Sequence, residues 1–345
     1  MARERFDIRR LEQEEEEYRI TVRREERGRR LDVVLGGRFK WLSRSAAKRN
    51  IEAGRVTFRS AAPAGPKGQE SRQIATKPSH RVEEGDSVVI RTARSPQDLA
   101  VARRKPPEKE LAILFEDDDL IAVDKPSGLP VHPVGINVYR TVLTALHRHC
   151  LEKGDCGDRL PILAHRLDLE TSGVLLAVKG KTLARNVADQ FRRRTVRKEY
   201  VALVYGALEP DEGVIDLPLG PAIESRVPYK QAVRDDGAAA RTRYRVEHRG
   251  HGTTLVRLTL ETGRKHQLRV HLAALGHAIV GDKIYGPSEE YYFKAREGPP
   301  VESDLAELLL PRLALHSAML VIRHPRTGEE VRFESPIPAE LEIYD

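Results

Sequence analysis

Three short stretches of this chain hold side chains of the right types and spacing to act on a bound molecule. The first is His165-Arg166-Leu167-Asp168-Leu169-Glu170-Thr171-Ser172-Gly173, one arginine and one aspartate ahead of a polar turn that closes on glycine. In an extended segment, residues two apart project to the same side, so Arg166 and Asp168 would share a face. A carboxylate so placed is a candidate nucleophile. Taken alone, an aspartate before Leu-Glu-Thr-Ser is as readily a turn cap, its oxygens occupied by nearby backbone N–H groups. The second stretch, Lys198-Glu199-Tyr200, offers an aromatic ring with a polar tip. The third, Thr262-Gly263-Arg264-Lys265-His266-Gln267-Leu268-Arg269-Val270-His271, puts a basic pair, Arg264 and Lys265, at a turn into a helix, where free backbone N–H groups also favour anions.

Elements of both kinds must position these stretches. Leu111 to Phe115 and Leu120 to Val123 predict two strands around the turn Glu116-Asp117-Asp118-Asp119. That acidic run has the composition of a Mg²⁺ site, but a solvated turn explains it more simply. Lys125-Pro126-Ser127-Gly128-Leu129-Pro130-Val131-His132-Pro133 is too rich in breakers for a helix. Leu183, Ala184, Val187 and Phe191 mark one face of a helix from Lys181 to Arg194. Strands follow at Tyr200 to Tyr205 and Leu255 to Glu261, a helix from Lys265 to Leu275 closed by Gly276, and a hairpin of Met319 to Ile322 with Glu330 to Phe333.

The 345 residues suffice for one sizeable domain and a smaller one, with 40% hydrophobic residues for cores and 32% charged residues for surface. No apolar run approaches the roughly 20 residues of a membrane span, and no signal-peptide pattern opens the chain. Cys150 and Cys156, with no Cys-x-x-Cys pair and no zinc-spaced histidines, disfavour a secreted disulfide scaffold and a structural zinc site. A reducing cytoplasm is the expected location.

Charge is distributed unevenly. Residues 19–94 hold 19 Lys and Arg against 8 Asp and Glu, whereas the whole chain is only +7, so the remainder is slightly acidic. A basic segment joined to a near-neutral body suggests a polyanion-binding module attached to a domain with another task. The module reads as a short helix with Leu31 and Leu35 one turn apart, a second helix capped by Ser43 and ending before Gly54, and strands at Val56 to Phe58 and Val88 to Ile90. Arg44 and Lys48, four apart, give the second helix a basic face. Residues 1–18, almost all polar, predict a frayed tail, and residues 94–109, with Pro96, Pro106 and Pro107, an interdomain linker. The catalytic domain is then expected over residues 110–345.

The nonapeptide around Asp168 resembles the catalytic signature His-Arg-Leu-Asp-x-x-Thr-Ser-Gly of the RluA-type RNA pseudouridine synthases. The Lys125 loop, Lys198-Glu199-Tyr200 and the Thr262 to His271 stretch resemble further motifs of that family. The resemblance spans about residues 111–340. Arg30-Leu31-Asp32, Leu42-Ser43-Arg44-Ser45, Ile51-Glu52-Ala53-Gly54-Arg55-Val56 and Val82-Glu83-Glu84-Gly85-Asp86 resemble an S4 RNA-binding domain over about residues 19–93, departing from it in a Pro/Gly/Ala/Ser-rich insertion between Ser60 and Pro78. The implied fold is α+β: a mixed, largely antiparallel sheet with flanking helices and a central cleft, preceded by the small S4-like domain.

The implied reaction breaks the N1–C1′ bond of a uridine in RNA, turns the uracil and joins C5 to C1′. Asp168 would attack the sugar, attack the base, or take the C2′ proton. Arg166 would hold or displace the flipped nucleotide. Tyr200 would stack on the uracil and assist loss of the C5 proton. Arg264 would be the ion-pair partner that holds and orients Asp168. Leu268 would line the pocket, with a plain core position as its alternative. His165 is a positioning residue. His266 and His271, five apart rather than the four that let two helical histidines share a metal, are RNA-contacting or structural. The reaction requires no metal or other cofactor, and no obligate protein partner is evident. The RNA substrate is expected to be large-subunit ribosomal RNA of the 23S type, with transfer RNA as the alternative. Two other readings compete. In one the protein binds RNA without turnover. In the other it is a glycosylase that uses Asp168 with a second carboxylate, for which Glu170 is the acid nearest in sequence.

Overall fold

The computed structural model describes residues 15–39, 44–59, 73–74, 77–93, 111–133, 140–154, 159–250 and 252–342. The chain divides into two compact units, residues 1–104 and 105–345. That division falls inside the expected linker, which itself lies outside the described residues, as do Ser43 and most of the 60–78 insertion.

In the first unit, β1 (Glu15–Thr21), β2 (Val56–Arg59), β3 (Gln73–Ile74) and β4 (Ser87–Ala93) form a sheet in the order β1-β4-β2-β3. The expected tail is therefore shorter than 18 residues. Glu15 pairs with Ala93 and Tyr18 with Ile90, a long-range pairing that the polar local sequence does not announce. Helices α1 (Leu31–Arg38) and α2 (Arg44–Glu52) lie where the sequence predicts them. Leu31 and Leu35 join Val34, Ala47, Ile51, Val56 and Ile90 in a core of their own. Arg44 donates to buried Asp32 at 3.1 Å, and Lys48 lies 3.7 Å from Glu52 in an exposed pair worth little to stability.

The second unit is built on a sheet whose described strands run β10-β13-β14-β9-β15-β8-β6-β5, with β16 beside β15 and β7 beside β8. In chain order these are β5 (Ala112–Glu116), β6 (Leu120–Lys125), β7 (Pro161–Leu163), β8 (Ser172–Lys179), β9 (Arg197–Tyr205), β10 (Glu212–Asp216), β13 (Arg241–Arg249), β14 (Thr253–Leu260), β15 (Leu315–Arg323) and β16 (Glu330–Glu334). A separate hairpin pairs β11 (Leu219–Pro221) with β12 (Gln231–Val233). All described pairings are antiparallel except β8 with β15, as a mixed, largely antiparallel sheet requires.

Helices cover both faces because successive strand residues alternate between them. Ile121, Val123, Leu175 and Ala177 join the cluster beneath α3 (Val142–Lys153) and α5 (Gln267–Ala274). Leu120, Ala122, Val174, Leu176 and Val178 join the opposite cluster, with Val187 and Phe191 of α4 (Lys181–Arg193). Two further helices, α6 (Glu290–Glu297) and α7 (Glu302–Leu308), precede β15. No described helix is long and apolar enough to cross a membrane. Buried Cys150 of α3 is disulfide-bonded. One such bond is not a disulfide scaffold.

Candidate active site

Asp168 sits in the loop between β7 and β8, at the end of the sheet where the single parallel pairing begins. The rest of the nonapeptide explains how the loop is held. Thr171 N–H donates to the Asp168 carbonyl at 3.2 Å, and the Ser172 hydroxyl meets His316 Nδ1 at 2.9 Å. Gly173 has φ +101°, and a Cβ there would fall 2.2 Å from the Ser317 carbonyl oxygen. Only glycine lets β15 approach so closely. His165 accepts the Leu176 N–H at 3.2 Å and stacks on Phe191, and burial pushes its imidazole down to about 4. It anchors the loop to β8 and α4.

A second clamp comes from the Lys125 loop. Lys125, at the end of β6 and wholly buried, donates to the carbonyls of Pro126, Leu129 and Leu169 at 2.9, 3.0 and 2.9 Å. Burial pushes its ammonium down to about 7 against the pull of Asp168, yet three carbonyls match its three N–H donors. Gly128 N–H and the Ser127 hydroxyl reach the carbonyls of Leu169 and Glu170 at 3.0 and 2.7 Å. Asp168 is thus held by backbone bonds at residues 168–171 and by the His165 ring ahead of it.

The carboxylate keeps a different partner from the one expected. Arg269 Nη1 donates to Asp168 Oδ2 at 3.1 Å, while Arg264 is exposed and turns its Nε to the Ala239 carbonyl at 3.0 Å. The physical reason lies in the helix start. The Arg264 to His266 segment precedes α5, tied back by Arg264 N–H to Gln267 Oε1 at 2.9 Å, whereas Arg269 lies inside the helix, where its side chain is buried. Asp282 fixes the guanidinium from its far side through bonds of 2.7 and 2.8 Å, and itself accepts the backbone N–H groups of Ile284 and Tyr285. The Tyr285 ring lies 4.9 Å from the guanidinium carbon. Arg269 was present in the third motif; its role was hidden because two arginines there compete for one carboxylate.

Asp168 remains 24% exposed, and among the described residues its Oδ1 accepts no hydrogen bond. His266 Nε2 stands 3.9 Å from Oδ2. Tyr200, on β9, packs in the same buried cluster as Leu268, Leu129 and Leu167, and Ser317 bonds its hydroxyl. Burial pushes its phenol up to about 12. Leu268 takes the plain core position. Arg166 and Lys265 are exposed at the mouth, and neither forms an ion pair with a described carboxylate; Lys265 lies 4.9 Å over the Tyr229 ring. His271 is structural, bonded to Thr242 and the Leu217 carbonyl.

Glu170 faces away from catalysis. Lys283 donates to both its oxygens at 2.8 and 2.9 Å, and Leu313 N–H adds a third bond. A carboxylate so occupied is a poor second acid for glycoside hydrolysis. Among the described residues no group of three His, Cys, Asp or Glu side chains could hold a metal ion.

The pattern is that of known enzymes. Residues 119–274 match the family RNA pseudouridylate synthase. The chain is 36% identical, over 96% of its length and 87% of the relative's, to ribosomal large subunit pseudouridine synthase D of Nitrosomonas europaea. It is 32% identical to an uncharacterized RNA pseudouridine synthase of Bacillus subtilis, covering 93% and 95% of the two chains. Among solved structures it resembles human RNA pseudouridylate synthase domain containing 4, with a TM-score of 0.52 and 29% identity over 67% of this chain and 90% of that one. The chain therefore belongs to the RNA pseudouridylate synthase family and is an isomerase that acts on RNA.

Proposed function

We propose that this RNA pseudouridine synthase isomerises uridines of large-subunit ribosomal RNA in the cytoplasm, with Asp168 as its nucleophile. The observation that carries the reading is the Asp168 carboxylate itself: Oδ2 is oriented by Arg269, while Oδ1 is unoccupied among the described residues and faces a partly open site. Such a group can meet a ribose carbon without first shedding a hydrogen bond. Several curated relatives are named for the large ribosomal subunit, which supports the choice of RNA. Tyr200 supplies an aromatic surface beside the carboxylate, and Arg166 and Lys265 supply exposed cations at the mouth for phosphate or for the gap left by a flipped base.

The basic first unit serves as the RNA anchor, an S4-like module. Its core, with α1 and α2 packed on a small sheet, supports that assignment, and its surplus of Lys and Arg suits phosphate. Removing residues 1–104 then weakens RNA binding and flattens its salt dependence; an unchanged slope removes the anchor role.

The deciding experiment incubates the protein with ribosomal RNA fragments, digests them to nucleosides and separates uridine from its isomer of equal mass. Pseudouridine is the expected product. Free uracil would make the protein a glycosylase, and unchanged uridine across large-subunit RNA would overturn the proposed substrate.

A further inference from the structure

His266 is the buried group of the site that the reading above leaves without a task. It occupies the N-cap of α5 in a left-handed conformation, φ +57°, which a residue other than glycine adopts at a cost. An outlier of this kind at a reaction centre calls for a functional explanation. The conformation carries the imidazole back over the start of the helix. Nδ1 then lies 2.7 Å from the Tyr285 hydroxyl and Nε2 3.9 Å from Asp168 Oδ2.

The proton positions follow from the partners. The Tyr285 oxygen accepts the Gln231 N–H at 2.8 Å. Burial pushes its phenol up, so it keeps its own proton, and among the described residues His266 Nδ1 is the acceptor within reach. Nδ1 therefore takes a hydrogen bond and the neutral ring carries its proton on Nε2. The ring stays neutral because burial, then the charges of Arg269 and Lys265, push it down to about 4 despite Asp168 and Asp282. The positive end of the α5 dipole acts in the same direction.

We infer that His266 is an uncharged hydrogen-bond donor to the uracil during catalysis, its Nε2–H directed at O2, the carbonyl beside the breaking bond. The gap of 3.9 Å to Asp168 is too long for a hydrogen bond, so the donor is not committed to the carboxylate. When N1–C1′ breaks, its electron pair stays on the uracil and spreads to O2 and O4. C1′ meanwhile accepts an Asp168 oxygen or C2′ loses its proton to Asp168. Attack at C6 of the base would load O4 instead. The routes in which N1–C1′ breaks first develop negative charge at O2, where a fixed N–H is most effective, and a neutral donor keeps its proton and lets the base rebond through C5.

The inference rests on Asp168 being the reacting carboxylate, and its test separates the two. Single-turnover rates are measured for RNA carrying uridine or 2-thiouridine at the target, sulfur being the weaker acceptor. With uridine, His266→Ala is expected to slow isomerisation about 100-fold, with RNA affinity within about threefold, because the bond forms fully only in the transition state. With 2-thiouridine the wild type slows, and His266→Ala adds little further loss; 4-thiouridine shows no such coupling. Tyr285→Phe keeps the imidazole but frees its tautomer, and about a tenfold loss is expected even if His266→Ala fails to fold. His266→Gln, a neutral donor, restores part of the rate. Equal losses from His266→Ala with both bases, or an unaltered rate in Tyr285→Phe, would overturn the role. A wild type that leaves uridine untouched would instead overturn the function itself.

Discussion

Two groups of carboxylates in the second unit look alike in sequence and are opposite in state. At the corner between β5 and β6, Glu116 accepts bonds from Lys153, His149 and Lys179 at 2.6, 2.9 and 3.0 Å. Asp117 closes an Asx turn on the N–H groups of Asp119 and Leu120, and buried Asp119 takes the Arg326 fork. Every one of those oxygens has a partner. Asp168 has one ion pair, a free oxygen and an opening to solvent. An acid that builds structure is saturated; an acid that reacts must keep a lone pair uncommitted, and the surrounding protein supplies the rigidity that its own side-chain bonds do not.

The comparison breaks most sharply at Asp168 itself. Asp168→Asn should lower turnover on the order of 10⁴-fold while thermal unfolding and RNA affinity stay near wild type; matched losses of activity and fold would make it a structural acid like Asp119. Arg269→Met comes next. It leaves buried Asp282 without its cation, so a stability loss of about 3–5 kcal/mol should accompany loss of activity, read by denaturant titration. If stability holds, the arginine is not the tie between the two aspartates that it resembles.

Glu116→Gln tests the saturated group. Burial alone would raise the Glu116 carboxyl, but bonds from Lys153, His149 and Lys179 outweigh it and bring it down to about 2. A folded-state value below the unfolded one stabilises above about pH 4.5 and is lost as pH falls towards 2. The substitution should cost about 1–3 kcal/mol at pH 7, flatten the acid limb of stability and leave catalysis alone. A change in turnover would dissolve the distinction. Arg264→Ala should do least, with rates within about threefold of wild type, since its side chain meets a carbonyl at the surface. A loss as large as that of Arg269→Met would return Arg264 to the carboxylate.

Local patterning announced most of the elements. The apolar run of β6, the alternation of β14 and the apolar face of α4 are written in consecutive residues, and a glycine that must let β15 approach was visible as the last letter of the nonapeptide; β8, buried along its whole length, was not announced. Strand β1 was not legible, because its polar run becomes a strand only by pairing with β4 some seventy residues on. The choice between Arg264 and Arg269 depended on where α5 begins, a matter of one turn, and the tie to Asp282 joins residues that no spacing rule connects. The sequence left His165 as a positioning residue without saying what it positions; its ring is spent on β8 and Phe191, partners that only the fold brings to it.

The sequence by itself determined the reaction class through its family resemblance, put forward Asp168 as the candidate carboxylate, and set the segregation of positive charge into the first unit, because motifs and composition survive without coordinates. Tertiary structure alone decided which arginine holds Asp168, how deeply Tyr200 is buried, and which partners surround His266. Those properties arise from burial and from partners far apart in the chain, and desolvation and hydrogen-bond direction exist only once the chain has folded.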